Sequence, residues 1–267
     1  MDKNAATSAS LVADGRRLGL EPGDTVMMHA SMRAVGPILG GPDVLIDALR
    51  EVIGPDGTLM MYAGCQPPYD HIGRGGFDDE NLAFIEANLP QFETASSRAD
   101  RDHGVLAEFL RTYPGTVCSD NPPARMAALG GRSVALTADH PLNYGFGPGS
   151  PLAKLCETGG KVMLIGSDHD SVTLLHYAEH LAPIPNKRIL RLKLPIAGKG
   201  WVDIEEYDTT SKGIVDWPDR FFATIVDDFL VSEGIAAGRL GRAETVVLDA
   251  QALVDHALPM MVKEAAT

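Results

Sequence analysis

The residues best suited to acid–base chemistry lie on one predicted helix, residues 172–182. Its apolar residues recur with helical spacing, which puts Thr173, His176, Tyr177 and His180 on the opposite, polar side. Thr173 and His176 are one turn apart, so both can reach the same reacting atom. Histidine titrates near neutral pH and is the commonest general base. The helix is therefore either a catalytic element or an ordinary solvated polar face.

A predicted strand, residues 201–208, supplies carboxylates that can serve such a histidine. Period-two alternation places Val202, Ile204, Glu206 and Asp208 on a single face, so two acids continue an apolar row. A buried carboxylate needs a partner, and one that binds an imidazole also orients it and stabilises its protonated form. The alternative is that the strand leaves the core after Ile204 and that both acids meet water.

Further polar residues follow three predicted buried strands. The first strand ends at His29, the second at Tyr62, and the third leads into Asp168-His169-Asp170. Because open α/β sheets bind ligands beyond the carboxyl ends of their strands, we expect these residues to converge on one site. Polar loops after strands are also common in proteins without such a site.

The elements that position these residues follow an α/β pattern. Residues 25–31 and 58–62 are short apolar runs, of the kind buried in parallel sheets, and residues 42–52 between them have a helical apolar stripe. Further strands are predicted at 161–166, 188–208 and 246–248, and further helices at 5–19, 105–112, 219–232 and 249–264. We predict one domain over residues 1–267, an α/β/α sandwich with a mixed central sheet, and an irregular excursion at about 63–103 over the active face.

The charge of the chain favours cationic partners. Lys and Arg total 23 against 36 Asp and Glu, a formal net charge of −13, which repels phosphate backbones and anionic membranes. Nucleic-acid and membrane partners are therefore not expected, although solubility alone also explains such acidity. Three cysteines are too few for a disulfide framework, and no apolar run of about 18 residues occurs. These features predict a cytoplasmic protein.

Several common catalytic motifs are missing from the sequence. It has no Gly-x-x-x-x-Gly-Lys phosphate loop, no strand-borne Gly-x-Gly-x-x-Gly and no Gly-x-Ser-x-Gly elbow. His176 and His180 have the i, i+4 spacing of metal ligands, with His169 and Asp170 close in sequence. No Glu follows the first histidine as in metalloproteases, so no metal site is predicted.

The chain resembles the aminoglycoside 3-N-acetyltransferases, the antibiotic acetyltransferase family, over nearly its whole length. The family has its own fold, distinct from the small N-acetyltransferase (GNAT) fold. The matching segments are residues 28–36 (MHASMRAVG), 40–42 (GGP), 54–61 (GPDGTLMM), 98–104 (RADRDHG), 147–153 (GPGSPLA), 164–170 (LIGSDHD) and 173–179 (TLLHYAE). One departure is Ser119-Asp120-Asn121-Pro122, where many relatives have Ser-x-His-Pro, so no role is assigned there.

The resemblance implies that acetyl-CoA donates its acetyl group to the 3-amine of the 2-deoxystreptamine ring of an aminoglycoside, which confers resistance. His176 is then the general base, Glu206 orients it, and Thr173 donates to the developing oxyanion. The residues expected to contact acetyl-CoA are His29, Ala30, Ser31, Met32, Arg33, Val35, Ser97 and Arg98. Those expected to contact the aminoglycoside are Tyr62, Asp70, Asp168, His169, Asp170 and Asp208.

Other functions stay open at this point. An acetyl-CoA-dependent N-acyltransferase of the same fold can act on a different amine. A metal-dependent hydrolase can use His169, Asp170 and His176, and a noncatalytic protein can bind the drug without consuming acetyl-CoA. The chain is expected to be a monomer or a homodimer.

Overall fold

The computed structural model describes residues 4–75, 77–210 and 213–266. The helices within those residues are α1 (Ser8–Arg17), α2 (Met32–Val35), α3 (Pro42–Ile53), α4 (Asp79–Asn88), α5 (Val105–Thr112), α6 (Ser133–Thr137), α7 (Pro151–Glu157), α8 (Leu174–Leu181), α9 (Phe221–Ser232) and α10 (Ala250–Glu264). The strands are β1 (Thr25–Ala30), β2 (Thr58–Tyr62), β3 (Val117–Cys118), β4 (Met126–Gly130), β5 (Lys161–Ile165), β6 (Ile189–Ile196), β7 (Gly200–Tyr207), β8 (Gly238–Leu240) and β9 (Ala243–Asp249).

Seven strands form a mixed central sheet in the order β3-β4-β2-β1-β5-β9-β8. β1 is parallel to both β2 and β5, and the outer pairings are antiparallel. The predicted strand–helix–strand unit is confirmed: Pro42 lies in the first turn of α3, and Gly54 ends that helix with a φ of 67°. β1 and β5 end side by side, which brings His29 near the loop that follows β5.

Helices cover both faces of the sheet, as an α/β/α sandwich requires. Met27 and Met60 belong to the core beneath α7, α8, α9 and α10. Val26 and Met28 belong to the core beneath α1, α3 and α5. Alternate residues of one strand thus enter opposite cores, because both faces of the sheet are buried.

The remaining strands, β6 and β7, form a separate two-stranded sheet. The excursion at 63–103, which contains the unpredicted helix α4, joins this hairpin through the Phe92 N–H, 2.7 Å from the Pro195 carbonyl oxygen. Ile204, Glu206 and Asp208 are all buried, so the predicted alternation is confirmed. Among the helices of the described residues, none is long and apolar enough to cross a membrane.

Candidate active site

Three cavities meet at the start of α8. The central cavity, about 430 Å³, lies between the excursion and α8 and is lined by Tyr62, Thr173 and His176. The strand-end cavity, about 320 Å³, lies beside residues 29–31 and shares Tyr62 and Thr173 with the central cavity. The aromatic cavity, about 320 Å³, is lined by Trp217 and shares His176. Thr173 and His176 therefore stand where ligands in different cavities approach each other.

His176 has a carboxylate partner, but the partner is Glu179 and not the predicted Glu206. His176 Nδ1 lies 2.6 Å from Glu179 Oε2, which is one turn further along α8. Glu179 Oε1 accepts a hydrogen bond of 2.6 Å from the indole Nε1 of Trp217. Within the described part of the chain, no group hydrogen-bonds His176 Nε2, and the His176 side chain is 21% exposed. The ring is oriented through one nitrogen and open through the other.

Glu206 binds the second histidine of α8, so its predicted role in orienting His176 is corrected. Glu206 Oε1 lies 2.7 Å from His180 Nε2 and accepts the Tyr207 backbone N–H. His180 Nδ1 lies 2.7 Å from the His176 carbonyl oxygen. The physical reason is the docking of β7, which meets α8 one helical turn beyond His176. Glu206 still lines the central cavity.

Thr173 stands at the N-terminal end of α8 and is 6% exposed. Its hydroxyl makes no capping bond to the helix, although threonine commonly caps helices. The residue lines both the central and the strand-end cavity. Its hydroxyl is thus available to a ligand that bridges the two.

Two further histidines line the strand-end cavity. Burial lowers the pKa of His29 to about 4, and the nearby charges of His103 and His176 add to the shift. Burial also lowers the pKa of His103, whose ring centroid lies 4.1 Å from that of Tyr62. Burial therefore favours the neutral form of both imidazoles.

Carboxylates dominate the charged lining of the central cavity. They are Asp70, Asp100, Asp102, Asp170 and Glu206. Arg74 also lines the cavity, with its Nη2 3.7 Å from Asp70 Oδ2. This excess of negative charge suits a ligand that carries several ammonium groups.

Of the residues predicted to contact the aminoglycoside, Tyr62, Asp70 and Asp170 line the central cavity, Asp168 lines the strand-end cavity, and His169 and Asp208 line neither. Asp168 forms a bidentate pair with Arg220 at 2.8 Å, and these hydrogen bonds hold the pKa of Asp168 down to about 2.

The other two predicted contacts also have protein partners. His169 Nδ1 lies 2.6 Å from Asp227 Oδ1. Asp208 is 4% exposed and accepts two hydrogen bonds within the turn after β7. Ion pairs and turn closure thus occupy residues for which the sequence predicted ligand contacts.

Of the residues predicted to hold acetyl-CoA, some line a cavity and others are bound within the protein. His29, Ala30 and Ser31 line the strand-end cavity. The Ser31 N–H already donates to the Ile165 carbonyl oxygen at 2.9 Å, however, and the Val35 N–H donates to Ser31. Val35 itself is fully buried. The backbone N–H groups of Ser31 and Val35 are therefore engaged inside the protein.

The other residues predicted to contact acetyl-CoA do not line the strand-end cavity. Met32 and Arg33 belong to α2, beyond the end of β1. Arg98 lines a separate cavity of about 420 Å³ and donates to Glu108 Oε1 at 2.6 Å. The Ser97 carbonyl oxygen accepts a hydrogen bond from Arg125, which shows that Ser97 helps to anchor the excursion.

Sequence reasoning missed Glu179 and Trp217. Glu179 was detectable, since it is three residues after His176 on a predicted helix and ends the segment 173–179. Trp217 lies 38 residues further along the chain, and no spacing rule links it to Glu179. Over the described ranges, no group of three or more His, Cys, Asp or Glu side chains is placed to hold a metal ion.

Comparisons with known proteins agree on one family. A family model described as aminoglycoside 3-N-acetyltransferase matches residues 27–262. The chain is 42% identical over 255 residues to an aminoglycoside N(3)-acetyltransferase III of Pseudomonas aeruginosa, covering 94% of this chain and 92% of the relative.

Two solved structures have the same fold. A structure of AAC-IIIb in binary complex with CoASH is 46% identical, with a TM-score of 0.90 and 97% of both chains covered. A structure of AAC-VIa bound to sisomicin is 34% identical, with a TM-score of 0.90, covering 98% of this chain and all of the other.

Proposed function

The chain belongs to the aminoglycoside 3-N-acetyltransferase family and is an acyltransferase, and we propose that it moves the acetyl group of acetyl-CoA to the 3-amine of an aminoglycoside. The observation that carries this proposal is the open Nε2 of His176. It stands where the central and aromatic cavities meet, with Glu179 on the other ring nitrogen. This arrangement is that of a general base with its orienting carboxylate.

The cavities suit the two substrates. The thioester enters by the strand-end cavity, whose wall at His29, Ala30 and Ser31 is close to Thr173. The related AAC-IIIb binds CoASH, which supports this assignment. The aminoglycoside occupies the carboxylate-lined central cavity and the aromatic cavity, where acids bind its ammonium groups and aromatic rings pack on its sugars. The related AAC-VIa binds sisomicin.

The reaction needs a free amine and a place for one proton. An ammonium group first loses one proton to solvent, and its nitrogen then attacks the thioester carbonyl carbon. His176 Nε2 takes the second amine proton as the N–C bond forms, and the carbonyl oxygen becomes an oxyanion that the Thr173 hydroxyl stabilises. The C–S bond then breaks, the amide carbonyl re-forms, and the imidazolium proton passes to the departing thiolate.

Glu179 contributes by fixing the tautomer. Its Oε2 can only accept a hydrogen bond while it is ionised, so Nδ1 carries the ring proton and Nε2 keeps its lone pair. The negative charge also stabilises the imidazolium that forms during the attack. Burial strengthens this effect, since Glu179 is 1% exposed.

The test is an assay of free-thiol release from acetyl-CoA with a panel of aminoglycosides. We expect thiol release that depends on the drug, a product heavier by one acetyl group, and an acetylated nitrogen at position 3 by NMR. Drug already acetylated at that nitrogen should not react. Acetylation at another amine would overturn the regiochemistry, and no thiol release with any aminoglycoside would overturn the proposal.

A further inference from the structure

Trp217 is tied to the reacting histidine through a single carboxylate. Its indole Nε1 donates to Glu179 Oε1 at 2.6 Å, while Glu179 Oε2 lies 2.6 Å from His176 Nδ1. Both carboxylate oxygens are therefore occupied, each by a different ring. Three side chains from α8 and the segment before α9 thus form one hydrogen-bonded chain.

The indole is also held in place by its packing. The ring centroids of Trp217 and Phe221 lie 4.7 Å apart. Gly213 packs so closely that a Cβ atom there would come within 2.5 Å of Trp217 Cδ1, at a φ of +65° that already favours glycine. The N–H is therefore presented to Glu179 in a fixed direction.

We propose that Trp217 is a positioning residue for acetyl transfer, with its indole N–H anchoring the Glu179 carboxylate that orients His176. The inference rests on the proposed function, because it gives His176 the role of base. The indole nitrogen donates and never accepts, so it fixes which carboxylate oxygen remains for His176. A carboxylate held at one oxygen alone could rotate and misalign the imidazole that it still binds.

The anchor also affects how strongly Glu179 stabilises a protonated His176. A hydrogen bond from a neutral donor stabilises the carboxylate charge, so removing the donor leaves a more basic carboxylate facing the imidazole. The acid limb of the kcat/KM profile against pH should then move to higher pH. The other titratable or charged groups around the pair are His29, His103, Asp170, His180, Lys187, Glu206, Asp219 and Arg220.

Trp217→Phe tests this inference, with Trp201→Phe as the matched control. Trp201 is the other tryptophan of the chain and lies on β7, beside Lys193 and away from Glu179. We expect Trp217→Phe to lower kcat by roughly tenfold, the scale of one lost hydrogen bond to a charged group. KM for the aminoglycoside should change little, because Phe retains an aromatic wall. The control should keep the wild-type kcat and pH profile.

A second variant removes the donor without changing the shape of the ring. In a Trp201→Phe background, Trp217 is replaced by benzothienylalanine, in which sulfur stands in place of the N–H group. The same fall in kcat and the same shift of the acid limb are expected. Wild-type kcat and pH profile in this variant would overturn the inference while leaving the proposed function intact. Absence of drug-dependent thiol release in the wild-type enzyme would instead overturn the proposed function.

Discussion

Helix α8 carries two histidines one turn apart, each paired with a glutamate, and the difference that matters for chemistry is whether a ring nitrogen stays open. His176 has one ring nitrogen bound, to Glu179, and the other open to the cavities. His180 has both nitrogens bound, to Glu206 and to the carbonyl oxygen of His176, and its side chain is 2% exposed. A general base needs a free lone pair in reach of the substrate, so only the first pair can accept a proton from it.

The second pair is a structural joint between two parts of the fold. Glu206 belongs to the β6–β7 hairpin and His180 to α8, so their contact at 2.7 Å fastens the hairpin to the sandwich. Lys187 reinforces the joint, donating to the His180 carbonyl oxygen at 2.8 Å. On the proposed mechanism, the same residue types serve catalysis or hold the fold together according to whether the ring is open.

The largest contrast should appear when each histidine is replaced by asparagine. We expect His176→Asn to lower kcat by roughly 10²- to 10⁴-fold, the scale of lost general-base catalysis. Its free energy of unfolding should change much less. His180→Asn should do the reverse, lowering the free energy of unfolding by about 2–4 kcal/mol through the lost buried pair, with kcat within a few-fold of wild type. Steady-state kinetics and urea unfolding measure both. Near-normal turnover of folded His176→Asn would remove His176 as the base.

Replacing each glutamate by glutamine should give the same contrast, with Glu179→Gln lowering kcat and Glu206→Gln lowering stability. Both partners of Glu179 are donors, so the amide NH₂ of Glu179→Gln would oppose one of them and favour the tautomer with the proton on Nε2. We expect kcat to fall by roughly 10²-fold or more.

Glu206→Gln keeps an oxygen for the Tyr207 N–H, at 2.7 Å in the native protein, and loses only the charge. Its main effect should be a free energy of unfolding lower by about 1–3 kcal/mol. If Glu206→Gln lost more turnover than Glu179→Gln, the assignment of the two pairs would be reversed.

The sandwich was predictable because its signals are local. Apolar strands such as residues 25–30 and the apolar stripe of α3 each lie within one short segment, and their periods fix which face is buried. The expectation that Glu206 orients His176 failed for a different reason. The alternation on β7 was correct, but the turn of α8 that the strand meets depends on how the hairpin docks. The single-domain organisation stays a prediction.

The backbone path of the excursion, residues 63–103, could not be predicted from the sequence. Its backbone is held by Arg125, which is 0% exposed and donates to the carbonyl oxygens of Gly64, Thr94, Ser97 and Arg98. Carbonyl oxygens belong to every residue type, so no sequence pattern identifies which of them an arginine will reach. Asp100 and Asp102 reach the central cavity only because this scaffold folds over it.

Burial of His140 should also make stability depend on pH. His140 Nδ1 lies 2.8 Å from Ser119 Oγ and Nε2 lies 2.6 Å from the Gly145 carbonyl oxygen, and burial lowers its pKa to about 4. In the folded state His140 therefore binds a proton only near pH 4, whereas in the unfolded chain it binds one below about pH 6.5. The contribution of His140 to the free energy of unfolding is fully present above that pH. It is lost as the pH falls toward 4, by on the order of 3 kcal/mol for such a group.

Urea unfolding between pH 7 and pH 5 measures this slope. His140→Gln should flatten it, whereas His71→Gln, at an exposed position, should not. An unchanged slope in His140→Gln would mean that other groups, such as the buried His29, cause the acid sensitivity.

The smallest expected effect concerns carboxylates, which are either open, meaning loosely paired beside a cavity, or engaged in a short ion pair. Asp70 lines the central cavity and lies 3.6 Å from His71 and 3.7 Å from Arg74, whereas Asp168 is bound by Arg220 at 2.8 Å. If open carboxylates attract the polycation, raising the ionic strength roughly tenfold should raise KM for the drug several-fold and leave kcat nearly constant, since salt screens exposed charges more than buried ones.

The variants that separate open from engaged carboxylates are Asp70→Asn and Asp168→Asn. Asp70→Asn should reduce the salt sensitivity of KM, because one of the charges that salt screens has been removed. Asp168→Asn should leave that sensitivity intact, because Arg220 already neutralises this carboxylate. Asp255→Asn, at an exposed residue of α10 outside the three cavities, is the control. Equal loss of salt sensitivity in all three variants would mean that the total charge of −13 attracts the drug and that the central cavity adds no attraction of its own.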